Sequence, residues 1–293
     1  MFTLVSDNSC DFTKEEAEKH NINLIPFYIS LDGENFLKEG KDITLDEFFT
    51  KLQNDKTLYP KTSQPSPQDY IDTFKPILDK GEDILAITIS SKLSGSNQSA
   101  INAVEILKDD YPDRKILILD SLNVSVGCGL IVRELIKMRD VNLGIEESFN
   151  LATKVREKTK TYFTIDTLEY LKKGGRIGPA AALVGGLLNL RPILHIQDGV
   201  VSPLEKVRGK KNAVKLMKET IVKALKDSGN ISNMAAGHIN ELEEAKTFRQ
   251  DIEKELNIKI ETPISQIGAT IGAHVGPGAL AFSYCEKYES LKV

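Results

Sequence analysis

The sequence predicts an α/β protein of two domains: a mostly parallel sheet with helices on both faces over residues 1–160, then an α+β domain over 161–293. Three observations carry this. Strand-like apolar runs alternate with helix-period segments through the first half, the grammar of parallel β-α-β units. After about residue 160 that grammar changes, and Asp198-Gly199 marks a hairpin between two strand-like runs. A chain of 293 residues also suits two domains better than one.

Residues 2–6 read as the first strand. Thr13 and Glu16 have capping-box spacing for a short helix. Residues 23–30 are strand-like but interrupted by Pro26, and Thr44 and Glu47 cap a second helix whose apolar face is Leu45, Phe48, Phe49 and Leu52. Pro67 suits the first turn of a helix over 68–79. The run Ile84-Leu85-Ala86-Ile87-Thr88-Ile89 is a buried strand. Ala100, Val104, Leu107 and Tyr111 then mark a helix face, with Ser94 placed as its N-cap and Gly95 allowing close backbone approach. A strand at 115–120 and helices at 126–139 and 145–158 complete a Rossmann-like half. Its ligand crevice would lie where 7–11, 90–96 and 120–125 converge beyond the strand ends.

In the second half a strand at 162–165 leads to a helix stopped by Gly174-Gly175. Pro179 opens a short uncharged helix over 180–190, expected to be buried. Strands at 192–196 and 200–207 flank the hairpin. Helices at 212–226 and 241–256 alternate with strands at 233–237 and 258–264. Residues 268–284 read as a glycine-rich loop and then a strand at 279–284.

Composition narrows the function. Hydrophobic residues make up 41% and charged residues 27%, with a net charge of −4, so no broad basic field invites nucleic acid. Cys10, Cys128 and Cys285 lie far apart with no metal-ligand spacing. The longest uncharged run is broken by polar residues and glycines, and the first residues lack a basic-then-apolar pattern. A soluble cytoplasmic protein is therefore expected.

Few residues could carry chemistry. Ser94 is either a helix cap or a hydroxyl donor beside free N–H groups. A nucleophile would need a base, and no G-x-S-x-G elbow surrounds it. Thr62 and Ser63 are either local turn residues or donors on the rim of the same crevice. His274 sits among glycines dense enough to suggest that backbone approaches a ligand there. His20, His195 and His238 are isolated and read as structural or exposed. Arg176, in Lys172-Lys173-Gly174-Gly175-Arg176, either complements a helix C-terminus or faces a substrate or partner. Asp7 and Asp120 lie at strand ends, without the second close carboxylate that a metal would need.

Taken together, five motifs resemble the DegV family in order and spacing across essentially the whole chain. They are Val5-Ser6-Asp7, Thr62-Ser63-Gln64-Pro65-Ser66-Pro67, Leu93-Ser94-Gly95-Ser96, the stretch from Leu168 to Ile177, and Gly272-Ala273-His274-Val275-Gly276-Pro277-Gly278. The resemblance implies a two-domain bacterial protein that binds a long-chain fatty acid such as palmitate between its domains. Some family members are the acyl-carrying subunit of a fatty acid kinase, whose separate kinase subunit phosphorylates the bound carboxylate. Residue by residue, it implies a carboxylate-binding set of Thr62, Ser94 and His274. Ser63 and Gly95 stand beside that set, and Arg176 is linked more loosely, through kinase contact. Ser96-Asn97 departs from the threonine and aromatic residue of many relatives.

The implied protein is a carrier rather than an enzyme. It would use no metal or cofactor, bind no nucleic acid, and touch membranes at most transiently. The uncharged stretch 177–190 would wall its acyl tunnel. The rival reading is a phosphate-ligand isomerase or transferase using Ser94–Ser96 at the helix N-terminus as a phosphate cradle.

Overall fold

The computed structural model describes residues 2–184, 190–228 and 233–292. The chain starts with β1 (Phe2–Asp7), α1 (Lys14–Lys19), β2 (Ile22–Ile25), β3 (Tyr28–Ser30), β4 (Leu37–Lys38) and α2 (Leu45–Asn54). It continues with β5 (Lys61–Ser63), α3 (Pro67–Leu78), β6 (Asp83–Thr88), α4 (Ser96–Leu107), β7 (Ile116–Asp120), α5 (Val126–Asp140) and α6 (Ile145–Lys158). Four of these strands form a parallel sheet in the order β2-β1-β6-β7. A small antiparallel sheet, β4-β3-β5, stands beside it because Pro26 separates β2 from β3.

The parallel strands are covered on both faces, so they read as continuous apolar runs. Val5, Ile84 and Ala86 pack against Tyr70 and Phe74 of α3 and Ala100 and Ala103 of α4. Leu4, Leu85 and Ile87 join the main core with α5. Of the two capping boxes read from the sequence, Thr44/Glu47 forms in full, and at Thr13 the hydroxyl accepts the Glu16 N–H without the reciprocal bond. A box not read from the sequence, Ser66/Asp69, forms with Pro67 at the first helical position.

The second half comprises β8 (Lys160–Thr164), α7 (Glu169–Lys173), β9 (Leu190–Gln197), β10 (Val200–Arg208) and α8 (Lys210–Ser228). Then follow β11 (Asn233–His238), α9 (Leu242–Leu256), β12 (Ser265–Gln266), α10 (Ala269–Val275) and β13 (Leu280–Cys285). Its six strands form one mixed sheet, β10-β9-β8-β13-β11-β12. Asp198 and Gly199 both take positive φ at the hairpin, 51° and 82°, the conformation a two-residue turn of this hand requires. One face of the sheet buries Phe282 and Ile193 against Met217, Ile221, Phe248 and Ile252 of α8 and α9. The other shares the main core with α5, which packs against β1, β11 and β13 and so joins the two sheets. This is why α5 buries eleven of its fifteen residues and has little polar face.

Three sequence expectations give way here. Residues 258–264 form no strand: Glu253 accepts the Ile260 N–H and Arg249 donates to the Thr262 carbonyl, so α9 takes the bonds a sheet would have used. The helix expected over 180–190 is a 3-10 turn, Gly178–Leu183, lying along β10. Residues 185–189 of that stretch fall outside the described residues. The expected loop at 268–278 contains helix α10, and His274 lies in its last turn. No helix among the described residues is long and apolar enough to cross a membrane.

Candidate functional site

A cavity of about 460 Å³ opens between the two sheets. Its apolar wall draws on both: Ile89 and Val124 follow parallel-sheet strands, while Phe163, Ile196 and Val201 come from β8, β9 and β10. Phe27 of the β2–β3 link, Leu171 of α7 and Ile271 of α10 close it. The described part of 177–190 lines none of it, which corrects that expectation. Nor is it buried as expected: among its described residues Ala180 is buried, while Pro179, Ala181, Ala182 and Val184 are exposed. An apolar, uncharged run does not by itself say what a segment packs against.

The polar side is contiguous. Thr62, on β5, places its Oγ1 2.8 Å from Nε2 of His274. The His274 ring lies against Gly174, where an added Cβ would stand 2.1 Å from Nδ1. The Gly174 carbonyl accepts from Nη1 of Arg176 at 2.7 Å, and Nε of Arg176 donates to the Leu93 carbonyl at 3.1 Å, next to Ser94. Thr62, Ser63, Ser94, Arg176 and His274 all line the cavity.

The sequence places these groups through local rules. Tight backbone bonds to the Ser90 carbonyl fold the loop after β6, and its base is held by Asp7. The buried Asp7 carboxylate accepts from Ile89 N–H at 3.0 Å, Ser96 Oγ at 2.7 Å and Ser9 Oγ at 2.5 Å. Burial pushes its pKa up, opposed by those donors. Ser90 Oγ donates to the Gly199 carbonyl at 2.7 Å and pins the hairpin tip over the same loop. Ser94 is therefore not the N-cap. Gly95 holds that position, and Ser94 Oγ accepts the Ser96 N–H at 3.2 Å.

Gly95 meets protein rather than cavity. Its N–H donates to Gln64 Oε1 at 2.9 Å, and a Cβ there would stand 2.4 Å from that atom. A side chain at 95 would displace the Gln64 amide, which latches the 62–67 segment across the start of α4. Gln64 also lines the cavity, a position its sequence context does not single out. That context is an amide just ahead of two prolines, Pro65 and Pro67, which is too common to mark a site.

The electrostatics are those of a quiet pocket. Burial, with a smaller contribution from the Arg176 charge, depresses the His274 pKa to about 4, so the ring is neutral at pH 7. Its buried Nδ1 has no hydrogen-bond partner among the described residues. All three cysteines are buried, and burial pushes the Cys10 thiol up to about 12, so it is not a thiolate nucleophile. Among the described residues, no three His, Cys, Asp or Glu side chains gather as a metal site, Asp7 and Asp120 included.

A cavity with a long apolar wall and one polar corner, set between a parallel sheet and a mixed one, defines an α/β protein built around an amphiphile-shaped pocket. The chain belongs to the DegV family: the model for that family of uncharacterised proteins matches residues 1–287. A DegV domain-containing protein of Clostridium acetobutylicum is 36% identical over 281 residues, covering 96% of each chain. A stearic-acid-binding protein from Eubacterium ventriosum superposes with a TM-score of 0.94 at 31% identity, covering 99% of this chain and 100% of its own. A fatty-acid-binding DegV family protein from Thermus thermophilus gives 0.84 at 29% identity, covering 97% and 99%.

Proposed function

We propose that this protein binds one long-chain fatty acid. The alkyl chain would lie along the apolar wall, and Ser94, Thr62 and His274 would hold the carboxyl group, with Ser63 and Arg176 at the rim. The observation that carries this is the cavity itself: eight apolar side chains, five of them on or just after strands of the two sheets, face a group of polar side chains on one side. The fatty-acid-binding relatives support the same reading.

The magnitudes agree with an alkyl ligand. Burying about 14 methylenes is worth roughly 0.8 kcal/mol each, about 11 kcal/mol gross. Ordering the chain offsets several kcal/mol of that. Charge-assisted bonds add about 1.5–3 kcal/mol each before desolvation. The tail thus supplies most of the affinity, and the polar corner sets depth and orientation. A phosphate ligand would leave the apolar wall unused.

On this reading the chain is a cytoplasmic carrier, with two domains meeting near residue 160. It presents the bound acid to a separate fatty acid kinase or moves it between lipid pools. Among the described residues Ser94 Oγ accepts from the Ser96 N–H, and the His274 imidazole is paired with Thr62 instead. The test is equilibrium binding of a radiolabelled long-chain fatty acid. Ser94→Ala should weaken binding about 5- to 30-fold, the loss of one hydrogen bond worth roughly 1–2 kcal/mol. Because Gly95 is the N-cap, thermal stability should barely move. Undiminished binding by Ser94→Ala would remove Ser94 from the site.

A further inference from the structure

We propose that the carboxyl ligand enters this site together with one proton, which the headgroup and His274 then share. The inference rests on the carboxyl-binding reading above and adds the protonation state of the complex. The geometry motivates it. The imidazole is largely enclosed, with Nε2 on Thr62 and Nδ1 facing the Cα of Gly174 without a partner among the described residues. Nothing close to the ring is anionic, so the free site has no reason to hold a proton on it. Burial and the Arg176 charge act in the same direction.

Among the described residues, no charged side chain besides Arg176 lines the cavity, Glu169 and Lys172 of α7 and Asp46 and Lys51 of α2 included. Lys61 Nζ lies against Gly33, Lys173 stands over the Tyr59 ring, and Tyr28 donates its hydroxyl to Asp69. Glu47 is tied into the cap of α2, and Glu39 and Asp11 hold the opposite end of α10. Arg176 is thus the side-chain cation nearest to an incoming carboxylate among the described lining residues. Its guanidinium is exposed and already donates to the carbonyls of Leu93 and Gly174.

A carboxylate placed beside a neutral, enclosed imidazole creates an uncompensated anion. One proton removes that cost, whether it sits on the carboxyl oxygen or on the ring, because the two sites titrate as a coupled pair. A free carboxylic acid is ionised above pH about 5 and the free ring is already neutral there, so the proton must come from solvent. Linkage then makes affinity fall as pH rises, roughly tenfold per pH unit while the complex retains its proton.

The experiment is calorimetric titration of the full chain with dodecanoate, below its micelle concentration, in phosphate and in Tris at pH 6.5. These buffers differ in ionisation enthalpy, and the difference in observed heat counts protons. The expected result is about one proton taken up per ligand, with binding roughly tenfold weaker at pH 7 than at pH 6. In His274→Gln the residual binding should take up no proton and show a flat pH profile. Tight wild-type binding with no proton uptake overturns the proposal and assigns the counter-charge to Arg176 or to the start of α4. A full proton taken up by His274→Gln overturns the part given to His274. No binding of any fatty acid overturns the carboxyl-binding reading itself, a separate outcome.

Discussion

Glu39→Ala is expected to destabilise the protein by about 3–5 kcal/mol, the range for stripping buried donors of a charged partner. Glu39 is fully enclosed, on the turn after β4. Its carboxylate accepts from the Ala269 N–H at 2.5 Å, the Thr270 N–H at 3.1 Å and Thr270 Oγ1 at 2.6 Å. It thereby supplies, from 230 residues away, the acceptor that the first turn of α10 lacks in its own sequence. Asp11 adds a bond to the Gly268 N–H at 2.9 Å. Alanine leaves three donors facing an emptied site, and α10 carries His274, so headgroup binding should weaken with stability. Urea unfolding read by circular dichroism checks this; a loss below about 1 kcal/mol would show that α10 does not depend on this cap.

The same two carboxylates give the protein a pH dependence whose sign is set by burial. Burial pushes Asp11 up to about 7, with the neighbouring Glu39 charge adding to it, and Glu39 is raised by its own burial. An acid whose pKa is higher folded than unfolded binds more protons in the folded state. Its contribution is fully present below its ordinary value near 3.8 and is lost as pH rises through about 7. Stability should therefore fall between pH 5.5 and 8. Asp11→Asn keeps an acceptor for Gly268 and can donate to Ser125, so it should flatten that slope.

Gly174→Ala is expected to weaken fatty acid binding by about 10- to 150-fold while the fold persists, as removal of one charge-assisted contact would. Gly174 has φ of −76°, so alanine meets no backbone strain. The added methyl would stand 2.1 Å from Nδ1 of His274 and 3.1 Å from the Tyr170 carbonyl, and the ring is what can yield. Moving it breaks the bond to Thr62. Gly175→Ala is the matched control: its φ is +72° and nothing lies within 4 Å of the new methyl. That variant should lose about 1 kcal/mol of stability to left-handed strain and leave the ring in place. Equal binding losses in both variants would show that the ring position is not what matters.

How much of this was legible follows from where the information sits. The parallel half was readable because its strands and helix starts are local: Thr44/Glu47 and Pro67 announce their helices within four residues. Thr62, Ser94, His274, Ser63 and Arg176 were singled out from motifs, and the structure brings all five to one cavity. Helix α10 was hidden because its N-terminal cap is Glu39, a tertiary partner. Its Gly272 suggested a loop, yet that glycine is required because a Cβ would meet the Phe49 ring at 2.6 Å. The 258–264 stretch alternates like a strand, but Pro263 lacks a donor, and only Ser265 and Gln266 reach β11. The apolar wall was hidden for another reason: Ile89, Phe163 and Ile196 read as ordinary core residues until two sheets face each other.

Native mass spectrometry of the protein purified from bacteria tests the central claim most directly. The account predicts a 1:1 complex whose added mass is that of a long-chain fatty acid, released by denaturation and regained when the acid is added back. A chain that carries no such mass and gains none on addition of palmitate or stearate would contradict it.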